Sequence, residues 1–192
     1  MVALIVALGG TAIAANTIRS GDIVDGQVMT PDLHNGAVTP AKLGKVPAID
    51  AFVASDLTVN ANNQPRIVPL DGENFDTAAS HGIGSIFVRT VVPGIYRVTG
   101  HVDWLGNGSA VLPSGTNCTV NIVRGTSFDL VTLATTKGNC AAGRSIEVNQ
   151  AIFMAKGQAL GLMITQSSGS DFTLDAAAHP VYLDSTWVGA GP

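Results

Sequence analysis

The chain has 192 residues, of which 46% are hydrophobic, 12% charged and 5% aromatic. That is ample apolar material for one substantial domain plus an appendage, with a core built from Val, Ile, Leu and Ala. The net charge is −4 and Lys and Arg form no cluster in the sequence, which argues against nucleic acid as a partner because phosphate binding needs concentrated positive charge. The 22 glycines, with abundant Thr, Asn and Ser, mark many turns and favour an all-β protein.

The N-terminus carries an apolar run, Val2–Leu8, broken by Gly9-Gly10-Thr11 and followed by Ala12-Ile13-Ala14-Ala15. Ala12-x-Ala14 is a small-residue cleavage pattern, so residues 1–15 read as the end of a secretory signal peptide. The positive segment that normally precedes such a run is missing, which leaves a fragment of a longer signal or anchor as the other reading. The run is too short for a stable membrane span, which takes about 20 apolar residues.

Residues 16–45 carry a five-residue period. Ile13, Ile18, Ile23, Val28, Leu33, Val38 and Leu43 recur at that spacing, and Gly21, Gly26 and Gly36 each stand two residues before one of them. Such a period fits neither helix nor flat strand. It predicts short extended pieces joined by tight turns, stable when stacked on copies of the same stretch, and hence a stalk. A disordered linker with an inherited repeat is the alternative. Asn35-Gly36-Ala37-Val38-Thr39 resembles the repeated Asn/Asp-Gly-(Ala/Ser)-Val-Thr segments of exported actinobacterial proteins and phage tail fibres, which precede a globular head.

From residue 46 to 192 the pattern is strand after strand. Strands are predicted over Ala51–Asn60, Arg66–Leu70, Gly84–Val92, Gly94–Trp104, Thr119–Arg124, Phe128–Thr135, Arg144–Met154, Gln158–Gln166, Phe172–Leu174 and Val181–Val188. The clearest is Gly94–Trp104, placed at the centre of the core sheet. Its alternation assigns Tyr96, Val98, Val102 and Trp104 to the core, and Ile95, Arg97, Thr99, His101 and Asp103 to the opposite face. Strands 119–124 and 128–135 read as a hairpin. Ten or so short strands without a helical stretch predict an antiparallel two-sheet sandwich, a jelly roll.

Several segments in order resemble the C1q-like domain, the jelly roll shared with the tumour necrosis factor (TNF) superfamily. Phe52-Val53-Ala54 resembles its opening strand, and Ile67–Leu70 with Asn74-Phe75-Asp76-Thr77 resembles the segment that follows. Phe87-Val88-Arg89 through Pro93-Gly94-Ile95-Tyr96 resembles the family's Pro-x-Gly-x-Tyr signature. Lys156-Gly157-Gln158 with Leu160-Gly161-Leu162, then Ser167-Ser168-Gly169 and Thr186-Trp187-Val188-Gly189, resemble its closing elements. Gln158 stands where the family usually has Asp. The resemblance covers about residues 50–190 and implies a homotrimer of heads on a stalk. Ile95, Arg97, Thr99, His101 and Asp103 then become the candidate trimer-contact face.

Signals of chemistry are sparse. His101 and Asp103 share a strand face two residues apart, which suits two ligands of a metal and weakly resembles the metal strand of cupins. The further His and Glu of a cupin site are not found at suitable positions, so a hydrogen-bonded pair at a subunit contact or surface is the preferred reading. Asp71, Glu73 and Asp76 cluster in a predicted loop, where carboxylates can hold Ca²⁺, and calcium occurs in some C1q-like heads; without an EF-hand spacing no cofactor is assigned. No nucleophile elbow, phosphate loop or dinucleotide fingerprint appears. Cys118 and Cys140 flank the predicted hairpin and suit a disulfide across its base if the chain is exported.

The sequence therefore points to an exported, non-enzymatic, homotrimeric binding or structural protein at the cell surface or outside it, with an unidentified protein or glycan ligand. A phage or cell-surface fibre tip that binds a receptor is the alternative within that class. A metal-dependent jelly-roll enzyme using His101 and Asp103 is the alternative outside it.

Overall fold

A computed structural model describes residues 20–39, 42, 44–82, 84–106, 110–126, 129–175 and 181–191. The expectation for residues 1–15 and the repeat positions Ile13, Ile18 and Leu43 lie outside the described residues. The chain divides into two compact units, Met1–Gly44 and Lys45–Pro192.

In the first unit, residues 20–29 and 30–39 follow the same backbone course. Each opens on a 3₁₀ turn, Ser20–Asp22 and Thr30–Asp32. Each then makes a tight turn closed by a backbone bond, Gln27 to Val24 at 3.1 Å and Ala37 to His34 at 2.8 Å. Gly26 and Gly36 sit at the same place in the two turns with φ of 79° and 80°, a region closed to most side chains. The structural unit is thus ten residues, two of the five-residue steps. Ile23, Val28, Leu33 and Val38 are all exposed.

In the second unit the described strands all pair antiparallel. A five-stranded sheet runs in the order β11 (Ser145–Met154), β6 (Gly94–Asp103), β14 (Val181–Gly189), β1 (Ala48–Phe52), β4 (Gly72–Asp76). A second runs β10 (Asp129–Asn139), β9 (Asn117–Thr126), β12 (Ala159–Gln166), β3 (Arg66–Ile67), with β5 (Val88–Arg89) also paired to β12. A small third sheet joins β2 (Leu57–Val59), β13 (Phe172–Leu174), β7 (Leu105–Gly106) and β8 (Ala110–Val111).

The core lies between the two large sheets, where inward residues meet because side chains alternate across each strand. Tyr96, Val98, Val102 and Trp104 pack with Ile146, Val148, Ile152, Leu183, Val120, Ile122, Leu160, Leu162 and Ile164 in one buried cluster. Leu57, Val59 and Leu174 of the third sheet join it. Gly100 interrupts the inward row of β6. A methyl group there would lie 2.3 Å from Leu162 Cδ2 and 3.2 Å from Val148 Cγ1, so the gap is filled by leucine from the opposite sheet.

The Pro93-Gly94-Ile95-Tyr96 stretch has a physical basis as well. Trp187 Nε1 donates to the Pro93 carbonyl at 3.2 Å, and the Tyr96 hydroxyl donates to the Val92 carbonyl at 2.8 Å. Gly94 has φ 150°, and a Cβ on it would meet the Trp187 indole and the Gly189 carbonyl at 2.2 and 2.4 Å. Only glycine lets the last strand close this tightly on the turn into β6.

Four expectations need correction. β6 is second in its sheet, and β14 occupies the middle. The predicted strand 51–60 is two strands in different sheets, β1 and β2, because the chain turns away after Val53, whose N–H bonds Val181. The predicted strands 66–70 and 84–92 shrink to two paired residues each. Residues 72–76, read as an acidic loop, form edge strand β4 paired to β1.

Candidate functional site

The outward face of the five-stranded sheet is the site with the most chemistry. Alternation turns Ile95, Arg97, Thr99, His101 and Asp103 of β6 onto that face, opposite the buried row. The cross-strand register extends each into a row. Thr99 lies between Asn149 of β11 and Asp184 of β14, and Asp184 faces Asp50 of β1. His101 lies between Glu147 and Tyr182, and Tyr182 faces Phe52.

The middle of the face is polar and acidic. His101 Nε2 donates to Asp103 Oδ1 at 2.9 Å, and the ring stacks on Tyr182 with centroids 4.7 Å apart and planes 9° from parallel. Its Nδ1 is sealed from solvent without a hydrogen-bond partner, 4.0 Å from Glu147 Oε2. The Ser145 hydroxyl also donates to Asp103 Oδ1. Asn74 of β4 donates to Asp50 Oδ2 at 2.8 Å. Burial pushes the Asp184 carboxyl up to about 6, reinforced by Asp50 and Glu147 and opposed by His101. Burial also raises the Tyr182 phenol, with Asp184, Glu147, Asp103 and Asp50 adding to it. Around this centre Phe75, Phe153 and Val188 are large, apolar and about half exposed.

The five β6 residues named from the sequence therefore do lie together on one face. Sequence reasoning missed their neighbours Asp50, Glu147, Tyr182 and Asp184. Alternation within 181–188 could have put Tyr182 and Asp184 on one side of their strand, but not beside β6.

The remaining candidates separate. Asp71 Oδ1 accepts from the Ala54 N–H at 2.6 Å, while the Asp76 carboxylate accepts from the Ala78 and His81 amides and the Ser80 hydroxyl. Burial pushes the Asp76 carboxyl up, but these bonds outweigh it and hold the group below its ordinary value. Glu73 faces His81 at 3.4 Å. Among the described residues, no three His, Cys, Asp or Glu side chains are grouped to hold a metal ion. Cys118 and Cys140 are joined as a disulfide with Cα atoms 5.7 Å apart, beside the Gly138–Cys118 register pair of β9 and β10. No described helix is long and apolar enough to cross a membrane.

No protein-family model matches the sequence, and no curated protein does. Solved structures do match. Murine APRIL at pH 8.0 shares 13% identity with a TM-score of 0.54, over 75% of this chain and 100% of that one. Murine APRIL at pH 8.5 gives 12% and 0.53 over the same shares. The head is a C1q/TNF-like jelly roll. The globular domain of zebrafish complement 1qA is also similar, at 15% identity and a TM-score of 0.48, over 76% of this chain and 99% of that one. At these identities the likeness is one of fold, and the APRIL structures carry it. The C1q/TNF-like head leaves the outward face of its five-stranded sheet open in the single chain.

Proposed function

We propose that this chain is an exported, non-enzymatic homotrimer that presents C1q/TNF-like heads for multivalent recognition of an extracellular protein or glycan. The carrying observation is the outward face of the five-stranded sheet, where exposed Phe75, Phe153 and Val188 surround a half-buried polar centre. Such a patch on one side of a sandwich is the pattern of a contact with another chain. Ile95, Arg97, Thr99, His101 and Asp103 would lie in that contact. Closed symmetry is the usual outcome when one patch meets copies of itself.

Two further observations support this reading. The exposed apolar side chains at every fifth position of residues 23–38 gain burial only from a neighbour, as a self-associating stalk requires. The Cys118–Cys140 disulfide belongs to an oxidising compartment outside the cytosol. Three linked heads make weak single sites into strong avidity. A fibre tip on a phage or cell surface is the second reading, favoured by the identical course of the two ten-residue units.

Light scattering of the full chain in solution tests the assembly. Three times the chain mass of 19.6 kDa is expected, and a monomer across micromolar concentrations would overturn the reading.

A further inference from the structure

The strand register spreads the head's charge unevenly without segregating it: Arg66, Lys137 and Arg144 stand toward the end where β6 finishes, and Asp76 and Asp129 toward the other. Asp71, Asp103, Asp171 and Asp175 lie at the end where β6 finishes and β14 begins, as the bonds of Asp171 to Ala61 and of Asp175 to Leu105 place them. At the other end stand Arg89, Arg124 and Lys156, three of the chain's ten Lys and Arg. They come from β5, β9 and the turn between β11 and β12, so no cluster shows in the sequence. Among the described residues their side chains make no hydrogen bond or ion pair. Asp76, the carboxylate nearest in sequence to this end's second cleft, is committed to its own loop through Ala78, Ser80 and His81.

Two clefts of about 350 and 590 Å³ lie here and share Arg89 and Gly157. Arg124 lines the first and Lys156 the second. Among the described residues, Asp129 is the one carboxylate lining either. The floor is locked. The Gly157 amide donates to the Thr90 carbonyl at 2.7 Å, the Thr90 amide to the Gln158 carbonyl at 2.9 Å, and the Thr90 hydroxyl to the Ala155 carbonyl at 2.6 Å. The Ala155 amide closes the turn onto Gln158 Oε1 at 2.8 Å. Arg89 and Lys156 therefore project from a backbone already in place, which limits the ordering cost of binding.

We infer that these paired clefts bind an acidic polysaccharide through Arg89, Arg124 and Lys156. Arg89 faces Ala159 and Arg124 faces Leu160 from opposite sides of β12, so their backbones stand two strand spacings apart, about 10 Å. Both arginines line the first cleft and can close on one anionic group, while Lys156 lines the second, so sulfate or carboxylate groups repeating along a sugar chain meet the two clefts in turn. Ser80, Thr126 and Gln158 supply hydrogen bonds for hydroxyls. Apart from His81, no described lining residue is aromatic, which disfavours single-stranded nucleic acid because its bases need stacking partners. The site lies within one head and does not depend on assembly.

The test is calorimetric titration of the full chain with a short heparin oligosaccharide, with neutral dextran, polyglutamate, oligothymidylate and inorganic phosphate as competitors. One heparin site per chain is expected, weakening about tenfold between about 50 and about 200 mM salt. The triple variant Arg89→Ala, Arg124→Ala, Lys156→Ala should lose at least about tenfold in affinity, and Asp129→Asn should gain two- to threefold. Lys137→Ala with Arg144→Ala, away from the clefts, should bind as the parent does. Lys156→Glu alone, at an exposed turn, repeats the loss with minimal risk to folding. No heparin binding, or binding unchanged in the triple variant, overturns the inference. So does any competitor that binds through the same three side chains as tightly as heparin. Light scattering on the same sample keeps the two proposals separate, since a monomer that binds heparin leaves this site standing.

Discussion

Asp50 and Asp184 face each other across β1 and β14, with both carboxylates on the outward side of the five-stranded sheet. Like charges directly opposite on a sheet repel. Burial, then Asp50 and Glu147, push the Asp184 carboxyl from 3.8 to about 6. Between those values the folded chain holds a proton that the unfolded chain has lost, so stability falls as pH rises from about 4 through about 6 and stays lower above it. Asp184→Asn removes the titration. The variant should melt higher than the parent at pH 7.5, and the difference should shrink as pH falls to 4. Thermal unfolding at pH 4, 5, 6 and 7.5 reads this directly; a difference that does not change with pH would disprove the coupling.

Gly100 leaves room for Leu162 to reach across the core. Gly100→Ala should overpack this point and cost about 1–3 kcal/mol, which lowers Tm by roughly 3–9 °C for a domain of this size. Leu162→Val in the same chain should recover part of the loss, because the clash is with a Leu162 methyl. If the double variant loses the full sum of the two single effects, the pair does not share the space.

The Cys118–Cys140 bond ties the far end of the β9–β10 hairpin across 22 positions of sequence. Closing a loop of that length restricts the unfolded chain and contributes about 3 kcal/mol. Cys118→Ala with Cys140→Ala should therefore unfold at clearly lower denaturant. Alkylation followed by mass measurement checks the bond itself in the purified protein: no thiol should react without reductant, and two should react with it.

What could be read from the sequence was decided by burial on one strand at a time. β6 was legible because it alternates buried and outward residues over ten positions, and β12 because Leu160, Leu162 and Ile164 alternate in its sequence, although its first four residues are all buried. β4 was not, because Gly72-Glu73-Asn74-Phe75-Asp76 is an edge strand with little buried and no apolar rhythm to show. The face of β6 was readable for the same reason as its core row. Its acidic centre was not, since Asp50, Glu147 and Asp184 reach it only through strand pairing between distant segments. The basic clefts escaped likewise: Arg89, Arg124 and Lys156 look isolated until β5, β9 and the β11–β12 turn gather around the start of β12.

Thr99 separates the folding of one head from assembly. It sits mid-row between Asn149 and Asp184 on the proposed contact face. Thr99→Arg would put a long cation into a tightly packed contact, but beside the Asp184 carboxylate of its own chain. Within one head that is a neutral or mildly favourable neighbour, whereas between heads it adds bulk that a packed contact cannot hold. The variant should therefore keep the parent's β-rich spectrum and unfold cooperatively, while its mass in solution falls from three chains toward one. Light scattering of parent and variant at matched concentration decides it. If the parent has the mass of three chains and the variant keeps it, the contact lies elsewhere, on a face that does not include Thr99.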